Sequence, residues 1–431
     1  MAYLAALISG LLAAISFPTI VAGRHLPNLS WLAWVALVPY WVGIRESRGR
    51  LLAFSTFLLG LFWNGLTSYW IFNALYFNGQ LSWPASLGVL AFMSVTMGAL
   101  LALFVCFGLS LSRRFRLPAV LVFPAIWVFY ECFRNYAPFG GYPWSNLGYS
   151  QASWLTLLQS ADLFGVYGIS FLVVLVNVVI GEVLDSWIHR RRMPRQPVFA
   201  AIALLLAFLG YGVWRLRQVE ASVSRAPQLA VGVLQPNIGQ QMKWKTDLND
   251  YIQGLLFKMT QDAIAQGADF VIWPESSLPT ALPLGLTNLP AMSGFSAPVL
   301  LGALSLQQNP LLTRPMLYNS AVQVDAGGRL AGRLHKQHLV PLGEYVPLKD
   351  LLWFVEPIVP RIGDFRTLIP KELLRVHGHP YGVVICYEDL FPEISRNFTR
   401  MGATFLVNIT NDAWYGDSSQ LEQHLNFSRE T

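Results

Sequence analysis

A β-branched run, "YGVVI", ends at Cys386 and is followed at once by Tyr387, Glu388 and Asp389. A free thiol titrates near pH 8.5, so a cysteine at that exit needs a base before it can act as a nucleophile. Glu275 stands after "FVIWP" and Lys336 after "LAGRLH", each likewise just past a strand-like run. A carboxylate can take the thiol proton. An ammonium, with the backbone N–H that follows the nucleophile, can hold a tetrahedral oxyanion. Three such strand ends could bring an acid, an amine and a thiol together in one cleft. Singly, a cysteine on an apolar strand is usually core and a charged residue at a strand end is usually solvated, so none of the three is persuasive alone.

Other chemistries find less support. His335 and His338 flank the lysine, but Glu275 already supplies a base, and no third ligand stands at zinc spacing. Cys106 and Cys132 lie in or beside apolar runs, and three cysteines make no disulfide framework. No glycine pattern would cradle a phosphate, so neither metal nor cofactor is expected. The basic "HRRRMPR" beside an apolar run reads as membrane topology rather than nucleic-acid contact.

The elements that must position these residues fall in two halves. Charged residues make up 13% of the 431 residues, about half the usual share. From Leu51 to Ser112 there is no Asp, Glu, Lys or Arg, a run of 62 residues. A bilayer span needs about 20. Apolar runs near 3–22, 29–44, 51–75, 84–111, 117–133, 163–184 and 198–214 predict about seven membrane helices within residues 1–216. The opening run lacks a basic start and is read as a retained helix. Arg45, Arg48 and Arg50, then Arg113, Arg114 and Arg116, then Arg190, Arg191, Arg192 and Arg195 fill alternate loops; the others hold Arg24 and Arg134. Positive loops stay cytoplasmic, so the N-terminus is expected there and the second half on the opposite face. Glu131 and Arg134, one helical turn apart, are expected to neutralise each other. Residues 227–431 alternate short β-rich runs with helical patterns, a layered α/β domain.

"WPESSLP", "GRLHKQHLVPLGEYVP" and "VVICYEDLFPE" in this order resemble the nitrilase superfamily. With seven spans ahead of them, and "GYPWSNLGYSQ" and "QPNIGQQMKW" beside them, they are similar to its membrane branch, the bacterial apolipoprotein N-acyltransferases, over essentially the whole chain. The resemblance implies a polytopic helical membrane domain plus an αββα sandwich in an inner membrane, the catalytic domain facing the periplasm. It implies Glu275 as base, Lys336 as oxyanion stabiliser and Cys386 as nucleophile. Glu344 would orient the lysine or relay protons, Tyr387 and Glu388 would support the nucleophile, and Trp144 and Trp244 would shape the lipid entry. Asn411 and Asp412 either line the cleft or close a turn, with the turn favoured, and "LLWFVEPIVP" (351–360), with Trp353 and Phe354, either gates entry or is a covered edge. A membrane phospholipid would donate the acyl chain and a diacylglyceryl apolipoprotein would accept it, the enzyme working as a monomer. The family's pattern continues past Thr431, so the domain is expected to be C-terminally incomplete. A membrane-anchored amidase and a non-catalytic scaffold are the alternatives.

Overall fold

Apolar helices dominate the first half of the computed structural model, which describes residues 1–429 apart from Ala22, Phe139, Trp244, residues 309–314, Leu342 and residues 346–364. The chain divides into two compact units: Met1–Ala226 with the residues from Asp417 onward, and Pro227–Gly416.

The first unit holds α1 (Ala2–Ile15), the small hairpin β1 (Ile20–Val21) and β2 (Arg24–His25), α2 (Val38–Ile44), α3 (Gly49–Thr67), α4 (Trp70–Asn73), α5 (Trp83–Phe115), α6 (Ala119–Tyr136), α7 (Leu155–Leu158), α8 (Ala161–Ile188) and α9 (Arg195–Val223). Each of the seven apolar runs overlaps at least one of these helices, though 3–22 ends in β1 and α2 takes up only the end of 29–44. Among the described residues, α5, α8 and α9 are long and apolar enough to cross a membrane, with α3 and the bent segment Trp70–Asn78 forming a fourth span if counted together. Helix α5, at 33 residues, is about 50 Å long, well over a bilayer core. Where α3 crosses α5, Gly60 meets Gly98 so closely that a Cβ would sit 2.8 Å from the facing Cα, the small-residue contact that substitutes for hydrophobic drive in lipid.

The expected Glu131–Arg134 pair is corrected by the structure. Both side chains are fully buried on α6, yet they form no ion pair. Glu131 Oε1 accepts from Trp127 Nε1 (3.0 Å) and from the Leu147 N–H (2.7 Å), while Arg134 donates to Asn146 Oδ1 (2.6 Å) and Asn64 Oδ1 (3.3 Å). Fork geometry suits the guanidinium to two carbonyl acceptors, and the stretch 142–151 supplies one of them.

The second unit has two sheets. One contains β3 (Val231–Val233), β4 (Phe270–Ile272), β5 (Leu282–Pro283), β6 (Val299–Gln307), β7 (Met316–Val324) and β8 (Leu330–His335), in the order β3-β4-β6-β7-β8 with β5 on β6. The other orders β9 (Leu374–Val376), β10 (His379–Ile385) and β11 (Phe405–Ile409) as β11-β10-β9. Their facing sides make one core: Phe270, Leu300, Ala321 and Leu334 against Leu374, Tyr381, Val383 and Ile385. Helix α10 (Gln240–Lys243) is short; α11 (Asn249–Ala265) buries Ile252, Leu256 and Thr260, four residues apart on one face. Thr260 Oγ1 takes the Trp273 indole N–H at 2.9 Å, tying α11 to the exit of β4. On the far side α12 (Pro392–Arg400) buries Ile394 and Phe398, with Phe398 lying where a Cβ on Gly382 of β10 would come within 2.4 Å of its ring. The layering is the expected αββα sandwich. Helix α13 (Gln420–Ser428) groups with the membrane unit.

Candidate active site

Strand direction decides what meets at the sheet edge. β4, β6 and β8 run the same way, with β7 antiparallel between the last two, so the exits of β4 and β8 share an edge with the entering half of β7. Glu275 follows β4, Lys336 follows β8, and Asn319 lies in that half of β7. The Glu275 turn rests on β6 at Gly302, where a Cβ would come within 2.4 Å of the Pro274 carbonyl oxygen and 2.6 Å of Glu275 Cα, so only glycine fits. Ser277 Oγ (3.2 Å) and the Leu278 N–H (3.1 Å) then donate to the Gly302 carbonyl.

Lys336 is 1% exposed. Its Nζ lies 3.0 Å from Glu344 Oε1 and 3.7 Å from Glu275 Oε1, and 5.7 Å from the centre of the Tyr387 ring. Burial works against the ammonium, but Glu344, the Cys386 thiol and Glu275 more than offset it, holding its pKa well above the usual lysine value. Asn319, which sequence reasoning missed, donates through Nδ2 to Glu275 Oε1 (2.7 Å) and Glu344 Oε1 (3.1 Å), so one amide and one ammonium span both carboxylates. Glu344 Oε2 also accepts from the Val340 N–H at 2.9 Å.

Cys386 leaves β10 with φ +58°, in the left-handed region that a non-glycine residue rarely adopts. Such strain concentrates at functional sites. Burial first, then Glu275, pushes its thiol well above the ordinary value, with Lys336 opposing; Asp412 and Glu344 add to the rise. The resting thiol is therefore protonated and surrounded by groups that manage protons. β10 and β11 are parallel and end in register at Ile385 and Ile409, which brings Asp412 beside the thiol. Asp412 does open a turn, Asp412–Tyr415, as the sequence suggests, and Asn411 Nδ2 donates to Gln240 Oε1 at 3.0 Å.

Glu388 is a clamp. Its Oε1 accepts from the Gln337 and His338 N–H groups (2.5 and 2.8 Å) and its Oε2 from the Ile385 N–H (2.8 Å), so one fully buried carboxylate joins the exits of β8 and β10. Burial raises its pKa to about 7 against the pull of Lys336 and the three N–H groups. Tyr387 donates its hydroxyl to the Leu339 carbonyl at 2.8 Å, fixing its ring beneath the lysine.

A second lysine, also missed in the sequence, reaches this site. Lys243 at the end of α10 donates from Nζ to the Glu275 carbonyl oxygen at 3.0 Å. Burial lowers its pKa to about 8, with Glu275 opposing. The histidines stand elsewhere: His335 Nδ1 bonds Ser320 Oγ at 2.8 Å, and burial with Arg333 depresses it to about 4; His338 stacks on Phe391. Among the described residues no group of His, Cys, Asp and Glu is arranged to hold a metal.

Trp144, expected to shape the lipid entry, is 4% exposed and lies in the membrane unit. Its Nε1 donates to Gln423 Oε1 at 2.8 Å and its ring packs on Trp70 and Phe427, which anchors α13. Trp244 and the 351–360 loop with Trp353 and Phe354 lie outside the described residues.

Comparison with known proteins follows the same division. The apolipoprotein N-acyltransferase N-terminal domain matches residues 9–179, and the carbon-nitrogen hydrolase domain matches 230–431. The apolipoprotein N-acyltransferase of Geobacter metallireducens is 34% identical over 433 residues, covering 99% of this chain and 80% of that protein. Those of Brucella melitensis (32% identical, 98% and 80% covered) and Methylococcus capsulatus (30%, 91% and 75%) are similar. With both domain models matched in order and this identity sustained along nearly its whole length, the chain belongs to the apolipoprotein N-acyltransferase family.

Proposed function

We propose that the enzyme moves an acyl chain from a membrane phospholipid, through a Cys386 thioester, to the α-amine of an N-terminal diacylglyceryl-cysteine. The observation that carries this is Cys386 at a strained strand exit, in a site where Lys336 Nζ lies 3.7 Å from Glu275 Oε1 and 3.0 Å from Glu344 Oε1. In the first half-reaction Sγ adds to the ester carbonyl carbon as its proton passes to Glu275. Lys336 and the Tyr387 N–H hold the oxyanion. On collapse the carbonyl–oxygen bond breaks, Glu275 returns the proton to the leaving glycerol oxygen, and lysophospholipid departs. In the second, the neutral α-amine attacks the thioester and gives its proton to Glu275; the amide forms, and the released sulfur takes that proton back. Glu344 and Asn319 keep Lys336 and Glu275 in place, and Glu388 holds the two strand exits together.

Two acyl-bearing substrates reside in lipid, which agrees with membrane helices joined to a hydrolase-like domain. The arginine-rich alternate loops favour an N-terminus on the cytoplasmic side of a bacterial inner membrane and the catalytic domain on the other face. Residues 1–216 and 227–431 remain the proposed domain limits. The test is transfer from phospholipid carrying a labelled acyl chain to a diacylglyceryl-cysteine peptide, beside ammonia release from small amides. Labelled peptide from the native chain and none from Cys386→Ala is expected. Ammonia release without phospholipid dependence would make the protein an amidase.

A further inference from the structure

The carboxylates at the arginine-rich end of the membrane unit are all taken. Arg45 pairs with Glu182 (2.8 Å) and Asp185, Arg191 with Glu46 (3.0 Å) and Asp185 (3.5 Å), and His189 with Asp185 (3.0 Å). Among the described residues eight arginines at this end, Arg48, Arg50, Arg113, Arg114, Arg116, Arg190, Arg192 and Arg195, enter no ion pair, and four of them, Arg48, Arg113, Arg114 and Arg116, line two cavities that share Arg113. The first, about 630 Å³, sets Arg48, Arg113 and Arg114 above Leu52, Ala53 and Cys106, and no acid lines it. The second, about 430 Å³, is lined by Arg45, Arg113 and Arg116 with Trp41 and Leu109, and by Glu182, which Arg45 already neutralises.

Topology explains why arginines lie at this end, but not why three of them without acids converge on one hollow between helices. Arg113 donates to the Ser47 and Arg45 carbonyls (2.7 and 3.4 Å), which fix its head without cancelling its charge. Helix α3 begins at this cavity, and its N-terminal N–H groups add positive potential. An apolar floor beneath a cationic rim asks for a ligand that is anionic at one end and hydrocarbon at the other. Basic pockets between membrane helices have this affinity for acidic headgroups, and the volume suits one headgroup with the start of its chains.

We propose that the Arg48–Arg113–Arg114 cavity is a binding site for an anionic phospholipid, its phosphate on the arginines and its glycerol and upper acyl carbons on Leu52, Ala53 and Cys106. The test is native mass spectrometry of the full chain, released from nanodiscs of phosphatidylethanolamine containing a minor share of cardiolipin or phosphatidylglycerol. One retained anionic lipid is expected. Arg48→Gln/Arg114→Gln should weaken retention by about thirtyfold, each arginine near an anionic lipid being worth about fivefold. Ala53→Trp should abolish it with every charge intact. Arg190→Gln/Arg192→Gln, which removes the same charge away from the cavity, should leave it unchanged. Equal losses in the two double variants would reduce the effect to general charge and overturn the site, as would equal retention of phosphatidylethanolamine. Displacement of the lipid by millimolar inorganic phosphate would also overturn it, showing a free-anion site instead.

Discussion

Two fully buried cations sit among acids and asparagines in this protein, and they are put to opposite uses. Lys336 in the catalytic unit touches two carboxylates, and Asn319 donates to the same two oxygens, so every partner converges on the space beside Cys386. Arg134 in the membrane unit has an acid one turn away and does not pair with it; arginine and glutamate each reach across to the 142–151 stretch. Removing a charge from water costs several kcal/mol in either place. In one it is offset by ion pairs that stabilise a reactive arrangement, in the other by neutral dipoles that pin a loop. A buried charge thus marks chemistry only when its partners leave a shared open vertex.

The sharpest way to break this contrast is to remove each cation. Lys336→Met should lower the rate of acyl-enzyme formation at least about 10²-fold, the cost of one lost oxyanion donor. It should also destabilise the fold by about 3–5 kcal/mol, since Glu275 and Glu344 stay buried. Arg134→Met should cost comparable stability in thermal unfolding, yet leave the rate per folded molecule within a few fold. A rate collapse in Arg134→Met without loss of stability would erase the distinction. Next in size, Asn319→Leu removes one amide from two carboxylates. A loss of about 1–3 kcal/mol of transition-state stabilisation corresponds to a fall in kcat/KM of about fivefold to 150-fold, with little change in KM for either substrate.

Smaller effects sharpen the contrast through pH. Lys243 carries charge below about pH 8 and faces the Glu275 segment. Lys243→Met should move the acid limb of kcat/KM to higher pH, because a nearby cation is lost, whereas Lys243→Arg should keep it in place. An unmoved limb in Lys243→Met would confine this lysine to holding backbone. Smallest is His335, whose folded pKa of about 4 lies below its unfolded value of 6.5. A depressed histidine favours the neutral form in the fold, so its contribution is full above pH 6.5 and is lost as pH falls through 4. His335→Gln should flatten the fall in melting temperature between those values without touching acyl transfer at neutral pH.

Much of the site was legible because chemistry was written at strand exits: "FVIWPE", "RLHK" and "VVICYE" each announce a strand and then a functional group. Asn319 was not, because it lies inside the alternating strand "YNSAVQV" and gains its place only from β7 running antiparallel between β6 and β8. With Ser320 and Gln323 also polar in that strand, nothing in the sequence singles Asn319 out. Lys243 was not legible either, because it stands in the polar stretch "IGQQMKW" with no strand-like run ahead of it to mark an exit. Helical spacing suggested that Glu131 and Arg134 would meet; it fixes which face a side chain leaves from, not which neighbour offers the better acceptor. The apolar runs located the helices well, although only three or four have the length and composition of a span.

The central claim is that Cys386 carries the acyl chain while Glu275 handles its proton. The most direct measurement is to incubate the protein with phospholipid alone, digest it, and weigh the Cys386 peptide before and after hydroxylamine. The expected result is one acyl mass on that peptide, removed by hydroxylamine, absent in Cys386→Ala and formed at least about 10²-fold more slowly in Glu275→Gln, the low end for a general base. Acylation that persists in Cys386→Ala, or that forms at the native rate in Glu275→Gln, would contradict it.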